Sequence, residues 1–412
     1  MSLFTAQPKA KFYSTLFIHL DLSAIGKGCP KTGRPSQRLA LLCSFVVMKL
    51  EQFSQVSDLY DFLSNNLLIA YYCGFDVSKP LPSYWTFDRF IRKLDNQILK
   101  DLMQSQVLRL AELGIIDTSF IGLDSTPEMA NTKLNNPKSF AKNKFSKDNQ
   151  PRSDKDCRLG VYTASNQFNE KNYEFYWGYK NHVLSDCITG LPIFEVTTPA
   201  NTADCSVALD ILSQTHAFLP IWECTFIGDK GYDAKDIYNT VRDTYHGECY
   251  IPLNQRGAKN PDKLHCGNLF CDAGLAMWKD GKFSDRGRTR QKFCCPLKNS
   301  KNGDCPCNHQ NWNNGKKNRG CTKYVTIPND YRLSIDRRSA EFKSVYALRT
   351  ECERYNSRFK STGQERLWVR NGNSAANLNT IAHISLLAVA IAAVITKTEV
   401  SYRCLKSVKR IA

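Results

Sequence analysis

The chain is 412 residues long, more than one compact core accommodates, so two or three domains are expected. Its apolar share of 42% and aromatic share of 11% are ordinary for a globular protein. A net charge of +17 calls for an anionic partner. Nucleic acid comes before acidic membrane, because no stretch gathers lysines beside a strong apolar stripe.

The opening "MSLFTAQPKAKFYSTLF" lacks the charged-then-apolar order of a signal segment. Seventeen cysteines, an odd number spread through core-like segments, point to a reducing cytoplasm rather than a disulfide scaffold.

Residues 37–113 carry apolar side chains at three- and four-residue spacing. They do so in "SQRLALLCSFVVMKLEQF" and "VSDLYDFLSNNLL" and, after the proline break "KPLPSYW", in "TFDRFIRKLDNQILKDLMQSQVLRLAEL". Residues 1–115 are therefore expected to form an N-terminal helical domain. Such a bundle serves equally well as a DNA-reading helix-turn-helix unit or as a packing module.

At 119 the period changes. "SFIGLDSTP" is a short β-type run that ends at Asp124. The tract 131–158 follows, nearly free of aliphatic residues, with eight Lys/Arg against three Asp between 133 and 158; it is expected to be a mobile loop. "YEFYWGYKNHVLSD" and "LPIFEVTTP" read as a hairpin turned by "CITG", and 202–219 as a helix. "IWECTFIGD" reads as a strand ending in Asp229, "DAKDIYNTVRDTYH" as a helix and "GECYIPLN" as a strand. Asp124 and Asp229 thus stand at the ends of the first and fourth strands. Each alone is as well explained as a strand-end cap.

The order β, long loop, β-hairpin, α, β, α, β resembles the ribonuclease H-like fold of DDE-type enzymes. Their two-metal phosphodiester cleavage needs carboxylates on a rigid scaffold, holding two hard cations about 3.5–4 Å apart. A third carboxylate is sought in "YALRTECERYNSRFK" (346–360). At about 100° per residue on one helix, Tyr346, Arg349, Glu353 and Lys360 share a narrow stripe, and Glu351 lies away from it. Leu348, Cys352, Tyr355 and Phe359 form an apolar stripe opposite. Glu353, not Glu351, is placed for chemistry; the bland alternative is a solvated charged face.

The spacing Y-x2-R-x3-E-x6-K, from Tyr346 to Lys360, resembles the C-terminal signature of bacterial insertion-sequence transposases of the DDE type. "LDSTP", "WGYKNHVLSD", "GLPI", "TPANTAD", "FIGDKGYD" and "DRRSAEF" resemble further segments of that family in the same order, and the likeness spans 38–395. The resemblance implies a fold class of α/β type: a ribonuclease H-like mixed sheet flanked by helices, over 116–253 and 336–400. It implies a transposase that binds transposon-end DNA and catalyses cleavage and strand transfer. Asp124, Asp229 and Glu353 would be its catalytic carboxylates and the ligands of Mg²⁺ (or Mn²⁺). Tyr346, Arg349, Lys360, Lys180, His182 and Lys230 would contact DNA, with a structural role equally open to Lys180 and His182. Its partners would be the transposon ends and the target, met as a homodimer on DNA in the cytoplasm, at the nucleoid and away from membrane. The alternatives are a catalytically silent DNA-binding protein of the same origin and a ribonuclease H-like nuclease.

Residues 254–335 form an insertion rich in cysteine, with fifteen Lys/Arg against five Asp from 254 to 323. It has few aliphatic residues for a core, so a structural zinc is expected to hold it, ribbon-like. The first set of ligands is Cys271, Cys295, Cys305 and Cys321, with Cys307, Cys294 or His309 as replacements; free buried cysteines are the alternative. The apolar run 381–395, about 15 residues, is shorter than the roughly 20 that cross a bilayer and reads as a buried helix.

Overall fold

The computed structural model describes residues 7–26, 37–140, 142–165, 171–254, 268–298, 307, 320–326 and 331–397. By compactness the chain forms two units, Met1–Ile221 with Thr350–Ala412, and Trp222–Arg349. This division differs from the expected one: the N-terminal helices and the first strands share a unit, and the end of the chain joins them.

In the first unit the helices are α1 (Pro8–His19), α2 (Ser23–Gly26), α3 (Arg38–Leu50), α4 (Val56–Asn65), α5 (Leu67–Cys73), α6 (Tyr84–Lys93) and α7 (Asn96–Glu112). α3 is buried from Ala40 to Leu50, so it is an inner helix that other helices cover. α6 is amphipathic, with Phe87, Phe90 and Ile91 inward and Trp85 exposed. The element that unites this unit is α12 (Gly372–Ile395), which packs on α7, α3, α6 and strand β4 (Pro192–Pro199). Among the described residues it alone has the length and apolarity to cross a membrane, and 83% of its apolar window is buried inside the protein. The buried helix expected at 381–395 is present and starts nine residues earlier, where Asn371 caps it by accepting from the Ser374 amide at 2.8 Å. Several of its buried polar side chains bond neighbouring elements. Asn377 donates to the carbonyls of Ile91 and Leu94 (2.8 Å each), Asn379 to Glu128 (2.7 Å), and Thr380 to Glu195 (2.6 Å).

The strands of this unit are β1 (Phe120–Met129), β2 (Arg158–Ser165), β3 (Lys171–Asp186) and β4, all antiparallel. β3 is long enough to pair β2 through its first half and β1 and β4 through its second, with Asp124 opposite Val183 and Ser125 opposite His182. The helix α8 (Asp204–Phe218) follows and packs on β4 and β1.

Two expectations are corrected here. β1 does not end at Asp124 but runs on to Met129, so Asp124 is mid-strand. Residues 158–165, which sequence reasoning leaves unassigned beyond Arg158, form β2. Gly160 permits this, since a Cβ there would lie 2.7 Å from the Ala200 Cβ and 2.8 Å from the Tyr176 ring. Finally, the tract 131–158 is pinned rather than mobile. Asn135 donates to the carbonyls of Trp177 (2.7 Å) and Ala130 (2.8 Å), the Trp177 indole donates to the Lys144 carbonyl (2.8 Å), and Tyr179 donates to the buried Asp154 (2.8 Å). Side-chain bonds to backbone do there what aliphatic packing does elsewhere.

The second unit begins with β5 (Thr225–Gly228), α9 (Lys235–Asn239), a π-turn over Thr240–Thr244 and β6 (Glu248–Tyr250), which pairs parallel with β5. Antiparallel and parallel pairing thus both occur, giving the mixed α/β class expected, with helices flanking the strands. A separate antiparallel sheet follows, β7 (Trp278–Asp285), β8 (Arg288–Cys294) and β9 (Thr322–Thr326), inside the expected insertion. The unit closes with α10 (Ala340–Ala347), capped by Ser339 and packed on β6 through Phe342 and Tyr250, whose ring centroids are 5.5 Å apart. The next helix, α11 (Thr350–Phe359), belongs to the first unit.

Candidate active site and candidate metal centre

The stretch 346–360 is not one helix. After α10, the Leu348 and Arg349 amides donate to the carbonyls of Val345 and Tyr346, three residues back and 3.0 Å away. This tightening closes the first helix and opens a new one at Thr350. The expected stripe of Tyr346, Arg349, Glu353 and Lys360 assumed one unbroken helix, and these residues fall on separate elements. Tyr346 and Arg349 lie in the second unit, Glu353 on α11, and Lys360 opens a π-turn in which Gly363 takes φ +89°. The apolar stripe of α11 does stand: Cys352, Tyr355 and Phe359 are buried while Glu353 is exposed.

α11 docks on β1, and one bond fixes the docking. The Asn356 amide donates to Asp124 Oδ2 at 2.9 Å, and Asn356 stands one turn after Glu353, on the same side. Asp124 and the helix that carries Glu353 are therefore brought together within the first unit. Sequence reasoning missed Asn356; its signal was the three-residue spacing from Glu353. Glu351 is committed elsewhere, to an ion pair with Arg354 beside Gly190.

Behind Asp124, on the same face of β1, lies a buried polar network. Lys49 donates to Gln364 at 2.5 Å, Asn379 bonds Glu128, and His383 bonds Asn181 (3.0 Å) and Tyr355 while stacking on Phe359. Burial pushes the Lys49 ammonium down to about 7 and the Glu128 carboxyl up to about 8. Burial alone pushes the His383 imidazole down to about 3, so it is neutral.

The opposite face of β1 carries the other sequence candidates. Lys180 donates to Asp204 (3.0 Å) and the Thr202 carbonyl (3.1 Å), and Ser125 donates to Asp204 as well (3.0 Å). His182 is fully buried, bonded to Thr198 at 2.9 Å, and burial holds it down at about 4. Its burial fits the structural role held open for His182.

Asp229 ends β5 in the second unit, where its Oδ1 accepts the Gly231 amide at 2.7 Å and caps a short turn that leaves Lys230 exposed. The neighbouring Asp233 is buried and structural: it pairs with Arg332 (3.2 Å) and accepts from the Asn254 amide (2.8 Å). Arg337 of "DRRSAEF" is buried too, donating to the Ile251 carbonyl (2.8 Å) and the Tyr238 hydroxyl (2.9 Å). It thereby fixes the approach to α10.

In the insertion, Cys271, Cys295, Cys307 and Cys321 gather in one small cluster with Leu269, Met277 and Phe293. The sulfurs of Cys271, Cys307 and Cys321 lie within 4.8 Å of one another. Burial, with Cys295, Cys271 and Cys307 close by, pushes the Cys321 thiol up to about 12. Cys305, Cys266 and His309 lie outside the described residues.

Residues 111–388 match the model of the transposase DDE domain, and residues 1–93 that of a transposase domain (DUF772). Among curated proteins no sequence matches the chain significantly. Of solved structures, a piggyBac transposase synaptic complex with hairpin DNA is similar at 10% identity and TM-score 0.42, over 98% of this chain and 79% of that one. The Mos1 transposase paired-end complex with the left transposon end follows at 14% identity and TM-score 0.18, over 54% and 61%. The Mos1 strand transfer complex gives 13% and 0.18, over 54% and 60%.

Proposed function

The chain belongs to the family of transposases with a DDE domain, and from that membership we propose that it cuts transposon-end DNA and joins it to a target by metal-dependent phosphoryl transfer. Asp124, Asp229 and Glu353 are the carboxylates of this reading. The observation that supports it best is the bond from Asn356 to Asp124, which seats the helix of Glu353 on the strand of Asp124.

The donor set suits the cation. Carboxylate oxygens are hard ligands, as Mg²⁺ or Mn²⁺ requires; Asp124 sits within β1, and Asp229 follows directly on the end of β5. When bound, the divalent cations supply Lewis acidity to the attacking and leaving oxygens. The chain's own part is to hold the carboxylates rigidly, through Asn356 on Asp124 and the Gly231 amide on Asp229. Lys230, Arg349, Lys360 and Tyr346 would meet the phosphate backbone, with Lys180 held in reserve by Asp204.

The N-terminal helices offer a second contact. A cleft of about 850 Å³ between α3 and α6 is lined by Arg38, Arg89 and Lys93, with no acidic side chain among its lining residues. Two DNA ends must be brought together, so a homodimer on DNA at the nucleoid belongs to the proposal, as does a structural zinc in 254–335.

The test is cleavage of a labelled duplex built from the DNA that flanks the coding region, with the full chain and Mg²⁺. Cleavage at the element's ends is expected, lost in Glu353→Gln with DNA binding retained. Equal cleavage by Glu353→Gln and the unaltered protein overturns the assignment.

A further inference from the structure

We infer that Cys271, Cys295, Cys307 and Cys321 form a four-thiolate zinc site that closes the β7–β9 sheet. It is independent of the phosphoryl-transfer reading, because none of these residues belongs to the proposed catalytic set.

The sheet's pleat selects among the cysteines. Cys294 is the last residue of β8 and Cys295 follows it, and the two go to different sides. Phe293 and Cys295 belong to the inner cluster, while Cys294 pairs across the sheet with Trp278 and Thr322 and lies outside that cluster. At the end of β8 the Cys295 amide donates to the Cys321 carbonyl at 3.0 Å, which sets these two ligands side by side as β9 begins. Cys307, one of the replacements that sequence reasoning offered, completes the set among the described residues.

Cys271 is presented by a tight turn. Its amide donates to the Leu275 carbonyl (2.9 Å), and the Gly274 amide donates to the Cys271 carbonyl (2.9 Å), with Gly274 at φ +75°. The turn aims the Leu275 amide at the Cys271 sulfur, 3.3 Å away. Lys323 stands next to this turn, bonded to the Phe270 carbonyl (3.1 Å) and Asp272 (2.9 Å), and adds a cation beside an anionic site.

The distances fit zinc and not a disulfide. Cys307 and Cys271 sulfurs are 3.6 Å apart. Four sulfurs at about 2.3 Å from a tetrahedral zinc are about 3.8 Å from one another, whereas a disulfide requires about 2.05 Å. The need is equally clear. The inner cluster around Leu269, Met277 and Phe293 is small, and the other face of the sheet leaves Trp278, Phe283 and Tyr324 exposed. So little apolar burial does not hold three strands without a staple.

Metal analysis of the full chain, purified under reducing conditions without chelator, should find about one zinc per protein. Exchange for Co²⁺ should give the ligand-field and charge-transfer bands of a tetrahedral four-sulfur site, and X-ray absorption should find sulfur neighbours only. Cys307→Ser should release the metal to a chromophoric chelator, while Cys305→Ser and Cys294→Ser retain it. A chain free of zinc, a nitrogen ligand in the absorption spectrum, or metal kept by Cys307→Ser and lost by Cys305→Ser overturns the inference. The spectra are taken on unaltered sequence, so a variant that does not fold leaves the decision intact. A chain found free of zinc that still cleaves DNA overturns this site and leaves the phosphoryl-transfer reading standing.

Discussion

Replacing Asn356 by Ala removes the amide that donates to Asp124 Oδ2 at 2.9 Å and little else, since Ala is the best helix former and α11 keeps its buried side. A hydrogen bond to a charged acceptor contributes about 1.5–3 kcal/mol. If that interaction holds Asp124 in its reactive place, the loss becomes a roughly 10- to 100-fold fall in cleavage rate, at about 1.4 kcal/mol per decade. Single-turnover cleavage of the end duplex at saturating Mg²⁺ measures it, with melting temperature and DNA affinity followed in parallel. Asn356→Asp sharpens the test. A second carboxylate within bonding distance of Asp124 makes one of the pair harder to ionise, so the acid limb of the pH–rate profile should move to higher pH. A merely structural residue does not shift that limb. Cleavage by Asn356→Ala within about twofold of the unaltered rate, in a folded protein, refutes the reasoning.

Asp124→Asn and Asp229→Asn should lose cleavage as Glu353→Gln does and still bind DNA, whereas Glu351→Gln weakens an ion pair with the exposed Arg354 and should stay within about 1 kcal/mol in stability. His383 gives a pH dependence of known sign. Its folded pKa of about 3 is below the unfolded value, so the unfolded chain binds the extra proton, and stability falls as pH drops from about 6.5 toward 3. At pH 4.5 the cost is at most about 2–3 kcal/mol, and His383→Gln should flatten that part of a denaturation-versus-pH series. Replacing the exposed Lys138, Lys142 and Lys147 by Ala should lower the slope of log affinity against log salt by up to about 3, at roughly 0.9 per phosphate contact, for any duplex sequence.

What was legible in the sequence was whatever rests on short-range pattern. The strands around Asp124 and Asp229, the helix at 202–219, the buried run at 381–395 and the inward stripe of Cys352, Tyr355 and Phe359 all follow from local periodicity. Cys271, Cys295 and Cys321 could be named beforehand as candidates, with Cys307 only as a replacement; that these four gather in one cluster needed the sheet. What stayed hidden depends on partners far along the chain. β2 forms because Gly160 meets Tyr176 and Ala200, and the basic tract is held by bonds to Trp177 and Tyr179. The break at Leu348–Arg349 has no breaker residue to announce it, and a helical wheel cannot supply one. Asn356 reads as a surface amide until β1 is laid beneath it.

The position of α12 has a consequence for biosynthesis. The helices that pack on it are complete at Glu112, but its own first turn leaves the ribosome about 260 residues later. At roughly 5–20 residues per second, that is a wait of about 13–50 seconds with an unfilled core. Domains as a rule fold from the N-terminus as they emerge; this unit must close from both ends at once. A message interrupted before Gly372 therefore yields an N-terminal fragment without its central helix, and such a fragment cannot persist as a folded competitor for the DNA that the full-length protein binds.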